Sequence, residues 1–179
     1  MRILDTPLRD VKRVRPLRHG DARGWFAEVF NAKEFREVGL PEIFAQDNQS
    51  MSSRGVLRGL HYQVVEPQGK LVRVLSGKIW DVVVDLRKGS EDFGKWAGFE
   101  LVPDLDMLWI PEGFAHGFLV LSETAEVLYK TTRGYFPEGE RCIRWDDADL
   151  EIQWPLNGLE PAVSAKDAAG VAFQNAEYF

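Results

Sequence analysis

The stretch Arg58-Gly59-Leu60-His61-Tyr62-Gln63, followed shortly by Lys70, gathers two fixed cations, an imidazole, a phenol and an amide within a few residues. Side chains of these types suit an anionic ligand with proton chemistry beside it. An extended chain over Val56 to Gln63 puts Arg58, Leu60 and Tyr62 on one face and Leu57, His61 and Gln63 on the other. That alternation aims His61 away from Arg58, without excluding a shared pocket.

The histidines His19, His61 and His116 are scattered singly. A metal-binding barrel needs several lone pairs converging at about 2.0–2.1 Å for zinc, which close His pairs on one strand usually supply. No metal is expected here, and no Gly-rich loop marks a phosphate-bearing cofactor. The remaining chemistry is proton transfer by side chains. His61 is the natural base, because an imidazole titrates near neutral pH. Lys70 can hold charge that develops on an oxygen, an interaction stronger in a dry pocket than in water. Tyr129 and Tyr135 both qualify as the acid, and their spacing would place both on one strand face. Asp81, Asp85 and Asp167 are equally plausible partners for His61.

These groups must be positioned by a chain of 179 residues, which the length prior reads as one domain, 1–179, burying roughly 70% of its unfolded surface. The net charge of −6 argues against nucleic acid as a partner and requires that any anion be held by a local cluster of Arg and Lys. The single cysteine, Cys142, can close no intrachain disulfide and can form no zinc site on its own, which fits a cytoplasmic protein. The charged first twenty residues lack a signal peptide's apolar core, and Phe118-Leu119-Val120-Leu121 is far short of the roughly 20 residues that span a membrane.

An alternating aromatic strand is expected over Asp21 to Phe30. A short helix follows, capped by Asn31 with Glu34 completing a capping box, buried through Phe35 and Val38, and ended by Gly39 and Pro41. Thereafter the pattern predicts strands over 43–48, 56–63, 70–76, 78–86, 96–102, 106–110, 116–121 and 125–132. Ser76-Gly77 reads as a tight hairpin, and Trp80, Val82, Val84 and Leu86 as one apolar face. So many short strands imply a mainly β jelly-roll barrel with its ligand in the mouth.

Several blocks in order along the chain carry a resemblance. Asp21-Ala-Arg-Gly-Trp-Phe, Gln46-Asp-Asn-Gln-Ser, Gly55-Val-Leu-Arg-Gly-Leu-His-Tyr-Gln, Gln68-Gly-Lys-Leu-Val-Arg, Ile110-Pro-Glu-Gly-Phe-Ala-His-Gly-Phe and Tyr129-Lys-Thr-Thr resemble the dTDP-4-dehydrorhamnose 3,5-epimerase family. The likeness continues through Trp145-Asp-Asp, Ile152-Gln-Trp-Pro and Ser164-Ala-Lys-Asp. It implies a cupin-type double-stranded β-helix with an N-terminal strand extension, no cofactor and no metal, assembled as a homodimer. The implied reaction inverts C3 and C5 of dTDP-4-dehydro-6-deoxy-D-glucose, on the route to dTDP-L-rhamnose.

By the same resemblance His61 takes the proton, Asp167 steadies its imidazole, Lys70 stabilises the enolate oxygen and Tyr129 delivers a proton to the opposite face. Arg58 is assigned to the diphosphate, Gln46 and Asn48 to the nucleotide, and His116 to the sugar pocket. Arg23 and Glu28, with Phe26 near the thymine, are contributed across the dimer. Tyr135, Glu140 and Lys166 complete the binding set. Gly134 departs from the family, which often has an aromatic residue there; a stacking surface of about 0.5–1.5 kcal/mol is missing. A relative that inverts only C3 or only C5 carries nearly the same motifs. A noncatalytic nucleotide-sugar binding module is the reading from another class, and it would have no need to keep His61, Lys70 and Tyr129 together.

Overall fold

Strands of opposite sheets bury their alternating apolar residues against one another, and the cavity described below opens between the same two walls. The computed structural model describes residues Met1–Phe179. In chain order the strands are β1 (Arg2–Asp5), β2 (Lys12–Arg15), β3 (Arg18–Asp21), β4 (Gly24–Ala27), β5 (Gln46–Ser53), β6 (Val56–Gln63) and β7 (Lys70–Ser76). They continue as β8 (Ile79–Asp85), β9 (Trp96–Leu101), β10 (Met107–Ile110), β11 (Phe114–Val120), β12 (Thr124–Thr131), β13 (Glu140–Cys142) and β14 (Ala162–Val163). Helix α1 (Ala32–Glu37) and the single turn α2 (Ala165–Ala168) are the α-helices. One sheet runs β1-β2-β10-β7-β12-β5; the other runs β13-β6-β11-β8-β9, with β14 joined to β6. The expected mainly β jelly roll is what these sheets form.

The interior core draws Val72, Val74, Leu108 and Val127 from the first sheet and Val83, Phe99, Phe114 and Phe118 from the second. Burying side chains of this size contributes about 1.5–3 kcal/mol each. Val82, Val84 and Leu86 do share a face with Trp80, as their spacing implies, but it is the outer face of the second sheet. The C-terminal segment covers it with Ile152, Trp154, Phe173, Tyr178 and Phe179. Their odd-numbered neighbours Asp81 and Val83 therefore point inward.

Helix α1 covers the outer face of the first sheet, where Phe35 is fully buried with Val14, Leu71 and Trp109. Asn31 caps it as expected, Oδ1 accepting from the backbone N–H of Lys33 and of Glu34. Glu34 pairs with the N-terminal ammonium of Met1 at 3.5 Å. Val38, expected in the buried stripe, is 43% exposed, because the helix has already ended at Glu37. The turn at Ser76-Gly77 is likewise no hairpin: β7 pairs with β10 and β12, while β8 pairs with β9 and β11, so the turn carries the chain from one sheet to the other. Gly77 is required there, with φ of +78° and Thr124 O only 2.0 Å from where a Cβ would sit.

Candidate active site

The cavity, about 280 Å³, lies between β5, β7 and β12 on one wall and β6 and β11 on the other. Strict alternation along β6 would separate Arg58 from His61, yet both line it. The ladder explains this: His61 stands opposite His116 and Arg58 opposite Phe118, so β6 spends one residue more than β11 over that interval. The irregularity falls at Gly59-Leu60 and turns both polar side chains to the same side. Gly59 permits it, with φ of +119°, and a Cβ there would lie 2.6 Å from Gly117 Cα.

His61 Nε2 lies 2.7 Å from Asp167 Oδ1. Asp167 is buried on α2, and its other oxygen accepts from Gly59 N–H at 3.2 Å. Burial alone would raise its pKa. The hydrogen bond and charge of His61, with help from Gly59 and Ser164, outweigh burial and hold it below the ordinary value. An ionised carboxylate only accepts, so Nε2 carries the proton and Nδ1 is left as the basic nitrogen. Asp81 and Asp85, the other sequence candidates, are engaged elsewhere: Asp81 Oδ2 lies 2.8 Å from His116 Nε2, and Asp85 accepts from Arg87.

Lys70 enters from β7, buried, its Nζ donating to the carbonyl of His61 at 3.2 Å. Burial pushes its pKa down to about 8, against the pull of Asp81 and Glu140. Tyr129 enters from β12, opposite Val72 of β7, which puts its side chain on the face that Lys70 occupies two residues away. Burial raises the Tyr129 phenol, partly countered by Arg58. His61 and Tyr129 thus come from opposite sheets into one cavity. Tyr135 also lines it but lies beyond the end of β12, 53% exposed, with its hydroxyl donating to Glu140 at 2.5 Å.

Arg58 has no carboxylate within ion-pair distance; its Nε donates to Ser52 Oγ at 3.0 Å. An unpaired guanidinium in an acidic protein is suited to an anion. Gln46 and Asn48 project from β5 into the cavity, Gln46 Nε2 donating to Asn48 Oδ1 at 2.7 Å. His116 and Glu140 line it too, and Lys166 reaches its rim through an ion pair with Glu140 at 2.6 Å.

Arg23, Phe26 and Glu28 are not brought to this cavity by their own chain. Arg23 and Phe26 lie on the exposed β3–β4 hairpin, Arg23 paired with Asp21, and Glu28 accepts from Asn31.

Sequence reasoning offered Asp81 only as a partner for His61, and it gave Gln63 and Gln68 no part in shaping the site. Asp81 is the buried partner of His116, and its Oδ1 has no hydrogen-bond partner. Gln63 and Gln68 both donate to Gly134 O, while Gln63 Oε1 accepts from Phe136 N–H, fixing the loop that carries Tyr135. The inward, alternate position of Asp81 opposite an apolar face was the available signal. Cys142, cross-strand from His61, completes a group with His61 and Asp167 whose ligand atoms lie within 4.8 Å of one another.

A sequence profile described as dTDP-4-dehydrorhamnose 3,5-epimerase matches residues 5–175. The chain belongs to the dTDP-4-dehydrorhamnose 3,5-epimerase family. It is 54% identical over 172 residues to the Pseudomonas aeruginosa dTDP-4-dehydrorhamnose 3,5-epimerase, covering 95% of this chain and 94% of that one. The epimerase structure from Elizabethkingia anophelis superposes with a TM-score of 0.95 at 45% identity, over 99% of each chain. An epimerase from Legionella pneumophila, solved in complex with dTDP-4-keto-L-rhamnose, superposes with a TM-score of 0.94 at 47% identity, over 98% of this chain and 94% of that one. The two-sheet cavity described above is therefore seen in an epimerase fold of the cupin type.

Proposed function

We infer that the protein inverts C3 and C5 of dTDP-4-dehydro-6-deoxy-D-glucose, giving dTDP-4-dehydro-L-rhamnose, by removing a proton from one face and returning one to the other. The observation that carries this reading is the entry of His61 and Tyr129 from opposite sheets into one cavity, with Lys70 beside them. C3 and C5 both flank the C4 ketone, so loss of hydrogen from either leaves an enolate with its charge on the C4 oxygen. His61 Nδ1 takes the proton while Asp167 holds the imidazole and stabilises the cation that forms. The Lys70 ammonium stabilises the enolate oxygen, and a positive group fixed in a buried site does so without reorganising. Tyr129 donates to the far face, which converts removal and return of a proton into inversion.

Arg58 holds the diphosphate, Gln46 and Asn48 the nucleotide, and His116 the sugar; Tyr135, Glu140 and Lys166 close the binding site. Arg23, Phe26 and Glu28 complete the site of a second copy in a homodimer. What supports this is the projection of Arg23 and Phe26 on a hairpin whose Trp25 and Phe26 are 48% and 69% exposed, with Glu28 directly after its second strand. Residues 1–179 act as one domain, in the cytoplasm; no helix is long and apolar enough to cross a membrane. Incubation with dTDP-4-dehydro-6-deoxy-D-glucose, followed by NMR of the sugar ring, tests the reaction. Signals of the doubly inverted sugar are expected, and recovery of the starting sugar alone would contradict it.

A further inference from the structure

Cys142 has no role in the chemistry above, yet β13 places it directly across from His61. Its thiol is half-buried and its only hydrogen bond is a long one, 3.5 Å, to Ile143 O. Burial pushes the Cys142 pKa up to about 12, so in the free protein it is a neutral thiol and a poor nucleophile. A thiol, an imidazole and a carboxylate that converge from separate elements are nevertheless a donor set for a borderline-soft metal.

We propose that His61 Nε2, Cys142 Sγ and an Asp167 carboxylate oxygen form an inhibitory site for a thiophilic divalent cation of the zinc class. One His61 ring nitrogen, Cys142 Sγ and an Asp167 carboxylate oxygen lie within 4.8 Å of one another, and Nε2 is the nitrogen in contact with Asp167. Tetrahedral ligands at about 2.0–2.3 Å from a metal sit roughly 3.3–3.7 Å apart. Occupancy therefore opens the 2.7 Å His61–Asp167 contact slightly and draws Cys142 inward. Asp167 is held by Gly59 N–H, and the His61 side chain is 31% exposed, so one ligand is anchored and another is reachable from solvent.

The binding step balances without any redox partner. The cation displaces the thiol proton to solvent and takes the Nε2 lone pair, while the imidazole proton moves to Nδ1. That nitrogen is then no longer a base, and Asp167 no longer orients it. The inhibition rests on the role of His61 proposed above; the binding does not. With three protein ligands, the fourth position of the metal stays open to water.

Chelator-treated protein titrated with Cd2+, and separately assayed for turnover with Zn2+, tests this in the wild type, Cys142→Ser and Cys142→Ala. One equivalent of Cd2+ is expected to saturate an ultraviolet thiolate-to-metal band, and Zn2+ to inhibit reversibly. Both variants should lose the band. Their half-inhibiting Zn2+ concentration should rise at least about tenfold, each measured against its own chelated rate. Absence of the band in the wild type, or unchanged Zn2+ inhibition in both variants, would overturn the site. A saturating band with unaltered turnover would refute the inhibitory half by way of the role given to His61.

Discussion

His61 Nε2 and Asp167 Oδ1 stand 2.7 Å apart although 106 residues separate them in the chain. Asp167→Asn keeps the shape and removes the charge, and an amide can present its NH2 to the imidazole and favour the wrong tautomer. Turnover should fall on the order of 10²–10⁴-fold with little change in KM. A rise in KM with kcat intact would instead make Asp167 a binding residue.

Lys70 carries its charge inside the protein at a cost. Its pKa is 10.5 when unperturbed and about 8 here, through burial. The unfolded chain therefore binds the extra proton between about pH 8 and 10.5, and stability rises with pH across that window. Below pH 8 the whole penalty is present, on the order of 3 kcal/mol. Lys70→Met should raise the melting temperature at pH 7 while reducing turnover at least about 10²-fold. In the wild type, activity should decline as pH rises through about 8. A variant both active and no more stable would contradict the assignment.

Arg58 lies in the cavity without a carboxylate partner, its Nε held by Ser52. Arg58→Met removes charge-assisted hydrogen bonds worth about 1.5–3 kcal/mol. KM should rise roughly 10- to 150-fold, and binding of dTDP alone should weaken in parallel. Equal dTDP affinity in the variant and the wild type would remove the diphosphate from Arg58.

The exposed β3–β4 hairpin makes a prediction about assembly. His61→Ala and Arg23→Ala protomers should each be poorly active alone. After subunit exchange, mixed dimers contain one site with both residues intact, so roughly a quarter of wild-type activity should return. No recovery under conditions where exchange is verified would place Arg23 in its own chain's site or outside any.

Much of this arrangement was legible in the residues. The boundaries of β6 and β7 agree with the expected 56–63 and 70–76. These strands are apolar wherever they meet the core. By contrast β5 was expected at 43–48 and runs from Gln46 to Ser53. Its inward residues Gln46, Asn48 and Ser50 face the cavity instead of the core, so no apolar alternation marks it. Strands β1 and β2 were not foreseen either: β1 is the charged edge of its sheet, and of β2, paired between β1 and β10, only Val14 is fully buried. The local break in β6 that unites Arg58 and His61 depends on pairing with β11 and is invisible to a period-2 pattern.

The most direct test of two-sided proton transfer is deuterium incorporation at C3 and C5 of dTDP-4-dehydro-6-deoxy-D-glucose in deuterated water, read separately by NMR for the wild type, His61→Ala and Tyr129→Phe. The wild type should label and invert both carbons. His61→Ala should label neither, and Tyr129→Phe should exchange hydrogen faster than it inverts. Label at both carbons in His61→Ala would contradict the account, and label at only one in the wild type would show inversion at a single centre.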